Sequence, residues 1–339
     1  MIELKACQRS RQMSEIFKDI KEGGNLYVSL NAILRDHSRF KSRIKTLEKS
    51  VSLNNGLLNI RLNYPAFRQG RPTVSEMLNT VVLMLTHFCL PRSEIKSVID
   101  KFSGADDYDI EINALFMRAK SLFKRAHEVT NRNGEAGELI LYILTEWILQ
   151  APQILAKMSL KTNPKMPVHG ADGVHARYCN KTNRLFFYWG ESKLYGDIGG
   201  AIASAAKSLS DAFSDNSMRH EIELVKRNLD LSGMDDISKQ EFLKYLDPFD
   251  DSYNERHDIA TCLIGFDFER YREISAFPDA EDQFVEMASA KLDEVGPSIL
   301  RALDRWGISD RNIELFILPL PSVQEFRDGF QDLIGWGRP

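Results

Sequence analysis

The chain has 339 residues, 43% of them hydrophobic and 27% charged, with a net charge of −4; these are values of an ordinary globular protein with length enough for a sizeable core. No apolar run approaches the roughly 20 residues that cross a bilayer, and Met1 to Ser10 is polar rather than signal-like, so a cytoplasmic protein without a membrane partner is expected. The four cysteines, Cys7, Cys89, Cys179 and Cys262, form no CxxC pair, which speaks against a zinc ribbon or a disulfide framework.

The net charge hides an asymmetry. Residues 1–130 hold 21 Lys+Arg against 14 Asp+Glu, a balance of +7, and residues 131–339 hold 23 against 34, a balance of −11. A basic half suits phosphates and an acidic half suits a cation. The punctuation Thr130-Asn131-Arg132-Asn133-Gly134 sets the expected boundary between an N-terminal region, 1–130, and a second domain, 131–339.

In chain order, residues 1–22 read as helix and Leu26–Leu34 and Leu57–Leu62 as short strands. Thr73–Cys89 reads as an apolar helix between Pro72 and Pro91, and Ile112–Val129 as an amphipathic one, giving a mainly helical N-terminal region. Arg35–Lys49 (RDHSRFKSRIKTLEK) carries six basic and two acidic residues. Arg39, Lys41, Arg43 and Lys45 are therefore candidates for contacts to a nucleic-acid backbone; a solvated helix face is the plainer alternative.

After the boundary, Asn133 is placed to cap a helix whose body, Leu139–Leu144, is apolar all round and so buried. Strand-like segments follow at Val174–Cys179 and Arg184–Lys193, then a Gly/Ala-rich helix at Ile198–Phe213. Helices near Asn216–Leu231 and Lys239–Leu246, a strand at Thr261–Phe268, a long helix at Glu281–Trp306 and a strand at Ile313–Leu320 complete the chain. This order implies a mixed α/β protein with a central sheet.

The chemistry concentrates in HGADGVHARYCNKTNRLFFYWGESKLYGD, His169 to Asp197. Leu185-Phe186-Phe187-Tyr188-Trp189 is apolar on both faces, as a central strand is. Glu191 and Lys193 leave it on one shared face, a costly exit unless the charges are paired or used. With a hairpin loop at Lys181-Thr182, the numbers of paired residues sum to 363 and Asp172 lies opposite Glu191, with Cβ atoms about 4.5–5.5 Å apart. A bulge at Gly170 or Gly173 would shift that register by one. Two facing carboxylates repel unless a cation joins them, and Mg²⁺, which takes oxygen ligands, is the natural choice, with Mn²⁺ as a substitute. Lys193 would then orient or help deprotonate an attacking water and stabilise the charged transition state.

Two histidines flank this group. A zinc site of His169, Asp172 and His175 is an alternative, but it leaves Glu191 and Lys193 unexplained. In a regular strand His175 points away from Asp172 and remains a candidate for a phosphate or water contact. Lys161 and Tyr195 read as structural.

The pattern resembles the PD-(D/E)xK nuclease superfamily, whose restriction-endonuclease-like core runs helix, three-stranded meander, helix, strand. The resemblance implies that Asp172 is the aspartate opening the second strand, that Glu191 and Lys193 are the ExK pair, and that Glu138 is the metal-binding glutamate of the first helix. Glu135, one turn away, could take that place. Ala171 stands where the superfamily's name has proline. From about Gly134 onward, GEAGELILYILTEW, HGADGVH, GESKLYGDIGGAI and the late apolar strands further resemble the HamA family, the nuclease subunit of the Hachiman antiphage-defence system. That likeness implies a metal-dependent DNA endonuclease in a heterodimer with a large helicase subunit, HamB, which restrains it on intact DNA and releases it on phage or damaged DNA. A nuclease-fold module without catalysis that binds and regulates a helicase is the competing reading, and RNA in place of DNA stays open.

Overall fold

The computed structural model describes residues 26–52, 56–130, 134–160, 171–274 and 278–335, with only the backbone described at 52 and 125–130. The expected helix over residues 1–22, together with Lys161 and His169, lies outside the described residues.

The first described element is a helix, α1 (Leu26–Ala32), where strand was expected. LYVSL has the aromatic and β-branched look of a strand, yet Leu26, Leu30 and Ile33 recur at helical spacing and are all buried in the main core. A 3₁₀ turn, Ser38–Ser42, and strand β1 (Ile44–Ser52) follow. The basic segment is thus a turn and a strand, not a helix face. Strand β2 (Leu57–Pro65) and a two-residue ladder of β3 (Phe67–Arg68) and β4 (Arg71–Pro72) come next.

The expected apolar helix is two, α2 (Val74–Val82) and α3 (Leu85–Cys89). They are followed by α4 (Arg92–Phe102) and α5 (Tyr108–Thr130). Helix α6 (Glu135–Ile148) starts after Gly134, which adopts helical backbone angles and makes no side-chain cap; Asn133 lies outside the described residues. Short β5 (Gln153–Leu155) and α7 (Lys157–Leu160) lead to the hairpin of β6 (Gly173–Cys179) and β7 (Arg184–Tyr195). The remainder is α8 (Ile198–Ala212), α9 (Asp215–Asn228), α10 (Asp236–Lys244), β8 (Arg256–Asp267), α11 (Ala280–Arg305), β9 (Ile313–Leu320) and α12 (Val323–Leu333).

Seven strands form one mixed sheet in the order β1-β2-β9-β8-β7-β6-β5. Strands β2, β9, β8 and β7 run parallel, while β1, β6 and β5 are antiparallel to their neighbours. The middle strands β8 and β9 are buried almost end to end, as parallel strands covered on both faces must be. One face carries Phe187, Trp189, Cys262, Ile264 and Leu315 against α8 and α11. The other carries Tyr188, Leu263, Phe316 and Leu318 against α6, α2 and α12. Because β2 pairs with β9, strands from the first 130 residues and from the rest share this sheet.

Candidate functional site

The β6–β7 ladder has the register read from the sequence: Cys179 pairs with Arg184, Val174 with Trp189 and Gly173 with Gly190, every pair summing to 363. The ladder stops there. Asp172, one residue beyond, donates its N–H to the Gly190 carbonyl at 2.6 Å, and its Oδ2 accepts the Ser192 N–H at 2.9 Å. The carboxylate therefore hooks the main chain between Glu191 and Lys193. Strand β7 continues to Tyr195, so Glu191 and Lys193 sit where β6 no longer flanks their strand.

Glu191 and Lys193 are mostly buried, with side-chain exposures of 12% and 19%, and they form an ion pair. Burial, and after it the nearby Asp172, push the Glu191 carboxyl up to about 7, against the downward pull of Lys193 and a hydrogen bond from Ser208 on α8. Burial opposes the Lys193 charge too, but Glu191 outweighs it, and the ammonium is held above its ordinary value. Lys193 is thus a fixed cation rather than a base. The Cys262 thiol, paired across from Glu191 on β8, is raised by burial and by that carboxylate.

Two glycines let the other face of the sheet close in. A side chain at Gly137 of α6 would collide with the Ser192 hydroxyl and Leu194, and one at Gly190 would meet Leu141 at 3.1 Å. Helix α6 thereby lies directly on the end of β7. Its Glu138 borders a small cavity shared with Gly173, His175, Gly190 and Thr261; Glu135 is buried but does not line that space. Glu138 reaches the end of the hairpin from the α6 face, whereas alternation along the strands sets Asp172, Glu191 and Lys193 toward α8.

The structure separates the remaining candidates. His175 is buried on the α6 face, 5.7 Å from the Tyr142 ring between centroids, with Nδ1 2.9 Å from the Ala151 carbonyl. It points away from Asp172, as strand alternation requires. Tyr195 is exposed, and its hydroxyl meets Ser204 of α8 at 3.0 Å. Arg39, Lys41 and Lys45 are exposed and Arg43 is half-buried, with no ion pair among the described residues. Among the described residues, no three His, Cys, Asp or Glu side chains converge as a complete metal cage. What they offer is a pair, Asp172 and Glu191, in which one carboxylate raises the other. Such a donor set fits a hard divalent ion that keeps several waters.

Sequence reading missed Lys157. Its buried ammonium bonds the Ala171 carbonyl at 2.6 Å and Glu221 of α9 at 2.7 Å, fixing the residue before Asp172. A single Lys set among Leu155, Ala156, Met158 and Leu160 carries no periodic signal of a role. No curated protein matches the chain. The HamA family model matches residues 38–334, beginning well ahead of the Gly134 from which the resemblance was read. With that match spanning nearly its whole length, the chain belongs to the HamA family, the antiphage proteins of the Hachiman defence system.

Proposed function

We propose that this chain is a Mg²⁺-dependent DNA endonuclease, the effector of its defence system, whose helicase partner supplies DNA affinity and restraint. The observation that carries the reading is the opposition of Asp172 and Glu191 at the end of β6, with Lys193 beside them. Asp172 and Glu191 would hold the ion; Glu138, the helix glutamate that the resemblance implies, borders the same hairpin end from the α6 side. When bound, a divalent ion makes a water nucleophilic at neutral pH and neutralises charge on the phosphate.

The chain's own groups do the rest. Asp172, tied to the Ser192 N–H, keeps its carboxylate at a set position relative to β7. Lys193 presents a permanent positive charge where the phosphodiester gains negative charge, and such preformed charge acts most strongly in a dry site. At Gly137 and Gly190 the close approach of α6 leaves no room for a side chain behind the strand. A pI near 6.0 gives little general attraction to DNA, which favours a partner that delivers the substrate.

The test is cleavage of plasmid DNA by purified protein with its helicase partner and Mg²⁺. Glu191→Gln and Lys193→Met should each lower the rate about 100-fold or more, and chelator should silence the wild type. A double variant cutting at the wild-type rate would remove the catalytic reading and leave a non-catalytic helicase-binding module. Matched RNA in the same assay distinguishes the nucleic acid.

A further inference from the structure

We infer that Arg35, His87, Arg92 and Tyr142, gathered where α6 meets the N-terminal region, form a binding pocket for a phosphoryl anion. Arg35 precedes the 3₁₀ turn, His87 lies on α3, Arg92 opens α4, and Tyr142 lies on α6. The two guanidiniums are close enough that Arg35, after burial, is the main influence lowering Arg92.

Like charges so placed need counter-ions, and among the described residues only Glu146 and, near Arg92, Asp230 offset them. Neither arginine forms an ion pair among the described residues. Glu146, the one carboxylate within the cluster, is fully buried and already used: His37 Nε2 lies 2.7 Å from Oε2, and the Gln153 N–H donates to Oε1 at 2.8 Å. Asp230, near Arg92, accepts from Ser93 and Ser232.

The donors are left over. Arg35 Nε, Arg92 Nε and His87 Nδ1 are buried without a hydrogen-bond partner, and the Tyr142 hydroxyl lies against Arg35 without an aligned bond. Arg92 makes one long bond, 3.5 Å, to the Gln153 carbonyl. Buried unpaired donors and unpaired guanidiniums are costly. An anion presenting several oxygens to two planar forks relieves both costs, and phosphate matches that geometry. Arg35, His87 and Arg92 are only half-buried, so the pocket opens on their side.

Helix α6 links this pocket to the candidate catalytic group. Glu138, Tyr142 and Glu146 recur every fourth residue on one side, so Glu146 lies about 12 Å along the axis from Glu138. A phosphate held here is separate from the Asp172–Glu191 pair, and the inference stands without the nuclease reading.

Thermal unfolding of the full chain, without divalent metal, should show a saturable rise in Tm with inorganic phosphate but not with chloride at equal ionic strength. Arg35→Met and Arg92→Met should each abolish that rise. If either variant fails to fold, Tyr142→Phe keeps the ring and should weaken the phosphate midpoint about fivefold. A wild type indifferent to phosphate, or a response surviving in these variants, overturns the assignment. A short single-stranded oligonucleotide that shifts the phosphate midpoint identifies a substrate-strand phosphate as the source. Phosphate binding that the oligonucleotide leaves unaltered identifies a free phosphate.

Discussion

Lys157 and Glu221 form an ion pair in which both side chains are 1% exposed, and the same ammonium holds the Ala171 carbonyl. Removing one partner strands a buried charge. Glu221→Gln should therefore cost about 3 kcal/mol in urea unfolding. The double variant Lys157→Met/Glu221→Leu should recover much of that stability, yet bind Mn²⁺ more weakly than wild type because the segment before Asp172 has lost its anchor. Wild-type Mn²⁺ affinity in the double variant would mean the pair serves stability alone.

Gly137→Ala runs against helix propensity. Alanine is the better helix former by about 1 kcal/mol, but here its methyl meets Ser192 Oγ and Leu194. Overpacking of this kind costs about 1–3 kcal/mol, so a net loss is expected. Ser192→Gly in the same chain should restore part of it, read as a double-mutant cycle.

The histidines near Glu146 set an acid limit. Burial, more than any neighbour, lowers His175 from 6.5 to about 4 and His87 to about 3. Both stay neutral in the fold, while the unfolded chain takes up protons below pH 6.5. Their contribution is complete above 6.5 and is lost as pH falls toward 4, by about 3 kcal/mol for His175. Urea midpoints at pH 7.5 and 5 should differ accordingly, and His175→Gln should flatten the slope.

Glu191 acts in the opposite direction. Its carboxyl is raised from 4.5 to about 7, so its stabilising contribution exists below 4.5 and disappears as pH rises through 7. Without metal at pH 8, Glu191→Gln should be more stable than wild type by about 1–3 kcal/mol. It should also lose the rise in Tm that Mn²⁺ gives the wild type. Equal stabilisation of both proteins by Mn²⁺ would place the ion elsewhere.

Replacing Arg39, Lys41 and Lys45 by alanine should weaken DNA binding across all sequences. The slope of log affinity against log salt should flatten by about 0.9 for each phosphate that is no longer neutralised, with folding untouched because all three side chains are exposed. An unchanged slope would return this segment to a solvated surface.

Where local rules suffice, the sequence was readable. A short turn centred on Lys181-Thr182 determined the β6–β7 register, which the ladder from Cys179–Arg184 to Gly173–Gly190 follows. The Ile313–Leu320 strand and the Gly/Ala helix packed on the same sheet were likewise legible from local pattern. Strand β1 was hidden because Lys45, Glu48 and Lys49 read as solvated charge; they are solvated, on a strand that among the described residues pairs with β2 alone. The cluster around Glu146 was beyond sequence, because its members come from residues 35–37, 87–92, 142–146 and 175 and meet only through tertiary packing. Glu138 was preferred from a resemblance, and only the cavity beside Gly173 and Gly190 separates it from Glu135.

The parallel pairing of Leu58–Leu62 with Ile313–Ile317 carries a consequence for how the molecule is made. During synthesis β1 and β2 emerge early, but their permanent neighbour is absent until some 250 residues later. Until then a hairpin with Leu58, Ile60 and Leu62 uncovered waits at the ribosome, offering its open side to any other strand. Closure of the sheet therefore waits for β9, and the yield in cells should depend on chaperones and on low temperature more than the final stability would suggest.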